Sequence, residues 1–346
     1  MTGKRLAALL CALMICAGAF GSAGAEAEAG FRNYQDALTH VTETRTSKLD
    51  VGEVRWRPTD LLRLKQAMGE GGGLAFSTQW CGTVITQDDT DIVLGEGKGV
   101  SEADIRALIV LCPNLKYLDL HELHHLSNDV MIPMLEEFPD IEFVWWLSLN
   151  KRHHVVTNAT AYSGFNMPDE PVKIRSDDLE LLKYCPGLKA LDLGHNKITT
   201  LDWVRWCPDL EMLILGDNWW IEDITPLGTL KHLQFLEMFT CSFSDVSPLA
   251  NCTELLDLNL SYCDNITDLS PLESLPALER FWGNHMKGLT QEEKDRFTAN
   301  MPNTVCMFRG VHATSDGWRD HERYKHYSWC LKKTIWIPFD QPLPDQ

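Results

Sequence analysis

The chain has 346 residues, enough for one large domain or two average ones, and 44% hydrophobic residues supply ample material for a core. Its 31 basic and 49 acidic residues give a formal net charge of −18. Such a chain has no basic field to neutralise phosphates, so its composition argues against nucleic acid as a partner.

The first 25 residues have the order of a secretory signal. Lys4 and Arg5 precede an uninterrupted apolar run from Leu6 to Phe20, and small residues up to Ala25 supply a cleavage site. We expect cleavage after Ala25, which removes two basic residues and no acids and takes the net charge from −18 to −20. An uncleaved anchor is the alternative, but the run is short for a membrane span. No later stretch approaches that length, so no transmembrane segment is expected after cleavage.

The next segments predict helices that alternate with strands. Residues 26–47, which contain "FRNYQDALTHVTETRT", are interpreted as an N-terminal helical cap. From about Lys48, "SEADIRALIVLCPNLKYLDL" and "SDDLELLKYCPGLKALDL" each run from a serine N-cap through an apolar helix face to Cys-Pro and a strand. Helical connections are therefore expected before residue 187, and shorter turns of the "ITDLSPL" type after it.

A repeat then becomes regular. "CPGLKALDLGHNKITTLDW" at Cys185 recurs in altered form, and its first leucine falls at Leu188, Leu210, Leu233, Leu255 and Leu278, with steps of 22, 23, 22 and 23 residues. This is the L-x-x-L-x-L-x-x-N/C-x-L pattern of leucine-rich repeats. It predicts an α/β leucine-rich-repeat solenoid of about nine or ten units over residues 48–289, with a parallel sheet on the concave face and helices and turns on the convex face.

The cysteines occupy repeat positions. Cys185 and His195 lie close together in sequence, but the repeat places the thiol on the buried side and the imidazole at the end of the strand. Four cysteines share an apolar position with phenylalanine, leucine or methionine, and two share the asparagine position of the spine: Cys112, Cys185, Cys207 and Cys252, and then Cys241 and Cys263. We therefore predict structural thiols, no catalytic residue and no cofactor. A disulfide between stacked neighbours stays open, although nine cysteines after residue 25 cannot all pair.

The motifs "LDLGHNKITTLDW", "ILGDNWWIEDITPL" and "LNLSYCDNITDLSPL" resemble those of secreted bacterial leucine-rich-repeat proteins of the internalin-like kind. The resemblance covers residues 48–289 and is closest over 185–289. It implies a curved solenoid for protein recognition without enzyme activity. The chain departs from that family in its longer, more helical N-terminal units. It also shows no cell-wall sorting signal at "IPFDQPLPDQ", which puts covalent surface anchoring in doubt.

Side chains between the leucines of each strand point to the concave face, because a strand alternates every two residues. Many are aromatic or aliphatic, and an exposed apolar patch marks an interaction site. Carboxylates among them, including Asp257, would steer a partner with a basic patch. The predicted partner-binding residues are Tyr117, Asp119, Phe143, Trp145, Asp192, Met212, Ile214, Trp219, Trp220, Phe235, Glu237, Phe239 and Trp282. The alternative is that a cap, a long loop or a second copy of the chain covers the patch.

Residues 290–346 are interpreted as a C-terminal cap and tail. The tail contains zinc-type ligands at His312, His321, His326 and Cys330, but spacings of nine, five and four match no standard finger, so no metal site is predicted. An aromatic lid over the last leucines of the solenoid is the preferred interpretation. The lid residues are Trp318, Tyr324, Trp329 and Trp336.

These observations predict an exported, non-catalytic protein, secreted or associated with the cell surface, that binds a protein or peptide on the concave face. The residues beyond the repeats are too few for a catalytic domain with its own core. Two alternatives remain, which are a glycan-binding protein whose tryptophans stack on sugar rings and a structural protein of the envelope.

Overall fold

The computed structural model describes residues 30–344. The predicted signal peptide, residues 1–25, lies outside the described residues, as do residues 26–29 of the predicted cap. The described chain divides into two compact units. The first comprises residues 30–90 and 100–115, and the second comprises residues 91–99 and 116–344.

The first unit contains three helices and a three-stranded sheet. Its strands β1 and β2 are parallel, whereas β2 and β3 form an antiparallel hairpin around Cys81 and Gly82, whose φ angles are 48° and 74°. A two-residue turn with both φ angles positive matches the twist of such a hairpin. The elements are α1 (Tyr34–Thr44), β1 (Lys48–Val54), α2 (Pro58–Ala67), β2 (Gly73–Trp80), β3 (Thr83–Thr86) and α3 (Glu102–Leu111).

Helix α3 begins at the predicted serine N-cap, where Ser101 and Asp104 form a capping box. The Asp104 side chain is fully buried and accepts hydrogen bonds from Arg57 and Thr59. Burial favours the neutral acid, but the hydrogen bonds from Arg57 and Ser101 outweigh it and lower the pKa of Asp104 to about 2. The capping carboxylate thus also connects α3 to the segment that starts α2.

The second unit is built on a parallel seven-stranded sheet in the order β15-β14-β13-β12-β11-β10-β9. Leu191, Leu213, Leu236 and Leu258 pair across four adjacent strands, and each is fully buried. This register confirms the leucine-rich-repeat solenoid. The strands are β9 (Ala161–Ser163), β10 (Ala190–Asp192), β11 (Met212–Ile214), β12 (Phe235–Glu237), β13 (Asp257–Asn259), β14 (Arg280–Trp282) and β15 (Val305–Met307).

The rest of the second unit consists of two smaller sheets and the connecting helices. Strands β4 (Asp91–Val93), β5 (Tyr117–Asp119) and β6 (Glu142–Val144) are parallel, and β7 (Trp146–Ser148) and β8 (His154–Val156) form an antiparallel hairpin. The α-helices are α4 (Asn128–Glu137), α5 (Gln291–Asn300) and α6 (Glu322–Lys333). The connections of the regular repeats are 3₁₀ helices at Ser176–Tyr184, Asp202–Trp206, Thr225–Thr229, Ser247–Asn251 and Ser270–Ser274.

The asparagine position of the repeat holds the turn that follows each strand. The fully buried Asn218 donates from Nδ2 to the carbonyls of Leu193 (3.0 Å) and Leu215 (2.8 Å) and accepts from the Ile198 amide (3.0 Å). In a later repeat, the Cys263 thiol donates to a carbonyl from the same position at 3.1 Å. A short polar side chain here pairs backbone groups of two neighbouring repeats.

The thiols are structural. The nine cysteines among the described residues are free. Burial raises the pKa of Cys185, which disfavours the reactive thiolate. The imidazole of His195 pairs with Asp217 instead, with Nδ1 2.9 Å from Oδ2.

Replacing Asn218 by alanine is expected to lower the free energy of unfolding by about 2–5 kcal/mol, because three buried backbone groups lose their partner. Asn218→Cys should cost less, since cysteine occupies this position in two later repeats. Urea titration of both variants measures the difference. The variant Asn251→Ala, at an exposed position, serves as the control. An unchanged urea midpoint for Asn218→Ala would show that the Asn218 side chain does not stabilise the fold.

Candidate protein-interaction surface

Two predicted site residues face the core instead of the concave side. Strand β6 pairs with β5 so that Phe143 stands opposite the buried Leu118, and Glu142 stands opposite Tyr117. A shift of one residue turns each side chain to the other face of a sheet. Phe143 and the nearby Trp145 are therefore buried, and their prediction as binding residues is corrected.

Tyr117 and Asp119 lie on β5 and bond to each other. The Tyr117 hydroxyl donates to Asp119 Oδ2 (3.3 Å), and the other carboxylate oxygen lies 2.7 Å from His121 Nδ1. Burial, followed by the charge of Asp119, raises the pKa of Tyr117 to about 12. Because this pair belongs to the three-stranded sheet, it is separate from the residues predicted on β10–β14.

The concave face, defined here as the side of β9–β14 opposite the buried leucines, is covered by the chain's own C-terminus. We call residues 309–344 the C-terminal strap. Its Trp318 ring lies 5.3 Å from that of Phe235, and the Tyr327 ring lies 4.9 Å from the same ring. Strap and sheet share one hydrophobic cluster that contains Ala161, Ala190, Met212, Ile214, Phe235, Trp282, Trp318, Tyr327, Cys330 and Trp336.

Buried carboxylates on the sheet hold the tryptophans of the strap. The indole of Trp318 donates from Nε1 to Glu237 Oε2. The indole of Trp336 donates in the same way to Glu211 Oε2 (2.6 Å). The backbone amide of Trp336 also donates to Thr160 Oγ1 (2.7 Å), which brings the strap to the edge of β9. These bonds give buried carboxylates donors from the strap, in addition to the bond that Glu211 accepts from Lys189 Nζ (2.6 Å).

A buried ion cluster holds the middle of the strap. Arg323 donates from Nε to Asp257 Oδ2 (2.6 Å), and Arg280 donates to Oδ1 (3.3 Å). The Arg280 guanidinium lies over the rings of both Trp282 and Trp318, 4.9 and 4.8 Å from their centroids. Asp257 is therefore neutralised from both the strap and the neighbouring strand.

The strap corrects the predicted place of the aromatic lid. The end of the solenoid is closed by the edge strand β15, which pairs with β14, and by helix α5. There the Phe297 ring of α5 lies 5.0 Å from the Phe281 ring of β14. The predicted lid residues lie instead against the concave face, as Trp318 and Trp336 show. The alternative stated above, that another segment covers the apolar patch, is therefore the one that holds for four predicted binding residues. Beneath the strap, a core is formed by Met212, Ile214, Phe235 and Trp282.

The zinc-type residues of the tail have other contacts. His326 Nε2 lies 2.7 Å from the Ile337 carbonyl, and His321 Nδ1 accepts from the Arg323 amide at the start of α6. Cys330 is fully buried in the strap cluster. Within residues 30–344, no three His, Cys, Asp or Glu side chains come together in a way that could hold a metal ion.

A pocket of about 400 Å³ remains between the strap and the sheet. Asp192, Glu237 and Phe239 from the predicted set line its sheet side. Arg319 and Tyr324 line its strap side. It is a part of the concave face that the strap leaves open.

The carboxylates of this pocket accept hydrogen bonds, but the positive charge near them is too small to offset the effect of burial on their pKa values. Asp192 accepts from the Gly194 amide (3.1 Å) and from Ser163 Oγ (3.3 Å), yet burial raises its pKa. Burial likewise raises the pKa of Glu237 to about 7, although Arg319, whose guanidinium lies 3.7 Å away, favours the carboxylate. Both groups would gain from a further positive charge.

Exposed aromatic rings stand beside the pocket. The third residue after each of the strands β10–β14 has a left-handed backbone, with φ of 57° at His195 and Asp217. The His195 ring lies 5.2 Å from that of Phe165, and the Asp217 carboxylate accepts from Trp219 Nε1 (3.3 Å). Side chains there are 44% (Phe165), 59% (Trp219) and 66% (Trp220) exposed. We call these three exposed residues the aromatic rim.

Sequence reasoning missed Phe165 and the strap side of the pocket, including Arg319 and Tyr324. Phe165 follows a strand whose "AYSGF" lacks the leucines of the repeat. The strap carried a signal, since "GWRDHERYKHYSWCLKK" concentrates cations and aromatic rings in an acidic chain. That composition fits a sheet face rich in carboxylates.

No protein-family model and no curated protein matches the sequence. Among solved structures, the chain is similar to an internalin of Listeria monocytogenes (16% identity, 73% of this chain and 88% of the other, TM-score 0.34). It is also similar to internalin C2 of the same organism (20%, 72% and 91%, TM-score 0.32) and to a leucine-rich-repeat protein of Leptospira interrogans (18%, 75% and 72%, TM-score 0.35). These are leucine-rich-repeat proteins of the kind that the repeat motifs resemble. Within residues 30–344, every helix is too short or too polar to cross a bilayer.

Replacing Asp257 by alanine is expected to destabilise the protein by about 3–5 kcal/mol, because the buried Arg280 loses its counter-charge and Arg323 keeps only the exposed Glu279. The strap should also become more sensitive to limited proteolysis than the sheet. Thermal melts and mass spectrometry of early cleavage products measure the two effects. The exposed Glu292→Ala is the control, and a variant with the wild-type melt and cleavage pattern would show that the ion cluster does not hold the strap.

The contribution of Glu237 to the stability of the protein is expected to fall as the pH rises from about 4.5 to about 7. Because the folded-state pKa of Glu237 is raised from 4.5 to about 7, the folded protein holds a proton in this range that the unfolded chain has lost. Relative to wild type, Glu237→Gln should be more stable by up to about 3 kcal/mol at pH 8 and by much less at pH 5. Urea unfolding at both pH values tests this, with the exposed Glu222→Gln as control; a pH-independent difference would contradict it.

Proposed function

We propose that this is an exported, non-catalytic recognition protein that binds a protein or peptide partner at the aromatic rim and the adjoining pocket. One observation carries the proposal. Three large aromatic side chains, Phe165, Trp219 and Trp220, are about half exposed or more. Phe165 lines the open pocket, and Trp219 is joined to it through Asp217, which pairs with the pocket residue His195. Aromatic residues of this kind supply most of the binding energy in protein interfaces.

The rim is held in position before a partner arrives. The Trp219 carbonyl accepts from Ser242 Oγ (2.6 Å), and the Trp219 indole donates to Asp217. His195, which contacts Phe165, pairs with the same carboxylate. Such contacts reduce the conformational entropy that binding would cost.

The location differs from the face first predicted. Because the strap occupies the middle of the concave face, a partner that used Phe235 or Trp282 would have to displace a hydrophobic core. The rim and the pocket need no such displacement. They retain Asp192, Glu237, Phe239, Trp219 and Trp220 from the predicted binding set.

Export and the lack of catalysis are part of the same proposal. Export is supported by the signal-like order of residues 1–25 and by the strongly acidic chain that would remain. A recognition role without catalysis is supported by burial of the Cys185 thiol and by the pairing of His195 with Asp217.

Glycan binding is the second candidate, and one groove favours it. Trp220 lines a groove of about 420 Å³ together with Arg175, Ser176, Lys197 and Thr199. An exposed indole can stack on a sugar ring while the hydroxyls and cations bond to its substituents. This groove differs from the pocket between sheet and strap, but Trp220 belongs to both the groove and the aromatic rim. The two candidates are therefore separated by mutating groove residues outside the rim, such as Lys197.

Selection of peptides from a displayed random library on the immobilised full chain tests the protein-binding proposal. Enriched peptides are expected to bind the Trp219→Ala/Trp220→Ala variant about 30-fold or more weakly, because each ring acts as a hot spot. Fluorescence anisotropy of the synthetic peptides measures the affinities.

Val84, exposed on the first unit, provides a matched control as Val84→Ala, which should bind as wild type does. Absence of enrichment over the bare support, or equal affinity for the rim variant, would rule out this surface. Sugars retained on a glycan array by wild type but not by Lys197→Ala, which leaves the rim intact, would favour the second candidate.

A further inference from the structure

We propose that the pocket between the strap and the sheet receives a basic side chain, arginine or lysine, from the partner. This inference rests on the proposed function and identifies the chemistry recognised at the same site. It follows from the walls of the pocket, from its charges and from the way the same sheet face binds guanidinium groups of its own chain.

The pocket has acidic groups on the sheet side and aromatic rings on its walls. Asp192 on β10 and Glu237 on β12 flank Ile214, which lies between them on β11. Phe239 and Tyr324 supply rings on the two sides. A volume of about 400 Å³ accommodates a long side chain whose apolar stem lies against rings while its charged end reaches a carboxylate.

The carboxylates lack charge compensation more than hydrogen-bond donors. Each already accepts from protein donors, Asp192 from Gly194 and Ser163, and Glu237 from the indole of Trp318. A neutral sugar would add donors but no charge. A guanidinium or ammonium group supplies both, which is why a cation is favoured over a saccharide here.

The same sheet face already binds arginine in cis. At β13, Asp257 accepts from Arg323 of the strap and from Arg280, whose guanidinium lies against two indole rings. The pocket at β10–β12 repeats this combination of a strand carboxylate and aromatic walls. There the strap contributes Arg319, which is half exposed and 3.7 Å from Glu237. A partner's arginine would fill this pocket as Arg323 fills the position at Asp257.

The groups at the pocket mouth set its limits. Arg319 and Lys332 lie on the strap side and would repel a second cation. His195 at the rim pairs with Asp217. The pocket therefore fits a single basic residue next to an apolar or acidic neighbour, instead of a run of lysines and arginines.

Titration of the full chain with Nα-acetyl-arginine amide and Nα-acetyl-lysine amide, observed by saturation-transfer NMR, tests this inference without a partner. Both probes should bind about tenfold or more tightly than Nα-acetyl-norleucine amide, which has the stem without the charge. Asp192→Asn, which keeps the shape and can still accept from the Gly194 amide through Oδ1, should weaken the cationic probes about fivefold or more and leave norleucine amide unchanged. Glu237→Gln should act in the same direction.

The exposed Asp177→Asn is the matched control and should bind both cationic probes as wild type does. Thermal melts identify any variant that fails to fold, and the comparison with norleucine amide on the wild-type chain remains decisive in that case. Equal binding of norleucine amide, or full binding of arginine amide to the folded Asp192→Asn variant, would overturn the inference. Binding of methyl glucoside without arginine amide would overturn it in favour of a sugar site.

Failure of this inference is distinguishable from failure of the proposed function. Peptides that bind through the rim tryptophans but need no arginine or lysine would leave the function standing and the pocket chemistry wrong. Binding of arginine amide at Asp192 without any enriched peptide would support the pocket chemistry and contradict the proposed function.

Discussion

The in-register pairing of short parallel strands is the constraint on which the rest of the structure depends. Each strand of three residues places one side chain, a leucine on β10–β13, in a column shared with the next strand, and the neighbouring side chains then have to point to the other face. No repeat buries its leucine alone, so the column is stable only when the repeats stack. The stacked column requires leucine or phenylalanine on the side of the sheet that faces the core. The side chains of the concave face are therefore free to differ from one repeat to the next.

The concave face of this protein is part of a second core. Aromatic residues on β12 and β14 meet the tryptophans of the strap, and the sheet carboxylates that would be costly to bury are bonded to indole and guanidinium groups. The polar bonds explain how an acidic sheet can lie against a hydrophobic segment. They also determine where the face stays open, since the strap leaves Asp192 and Glu237 beside a pocket instead of covering both with its own side chains.

The rim and the pocket together place two kinds of contact side by side. Exposed indole rings offer apolar area with little conformational entropy to lose, and the pocket offers carboxylates that burial has left short of positive charge. Tyr324 and Arg319 come from the strap, whereas Asp192 and Glu237 come from the sheet. The site is therefore assembled from two segments that are far apart in the sequence. A partner that engages it would bind the folded strap together with the sheet, without displacing either.

The sequence by itself determined the repeat, the buried leucine column and the structural role of thiols such as Cys185, because a fixed period of 22 or 23 residues carries that information locally. It also indicated that Trp219 and Asp192 lie outside the core. The register of β6, which buries Phe143, was decided only in the tertiary structure, since a shift of one residue reverses the faces of an irregular strand. The path of the strap was likewise undetermined by local pattern. Its position depends on contacts such as that between Trp318 and Glu237, 81 residues apart, and no periodicity in the sequence encodes a pairing across that distance.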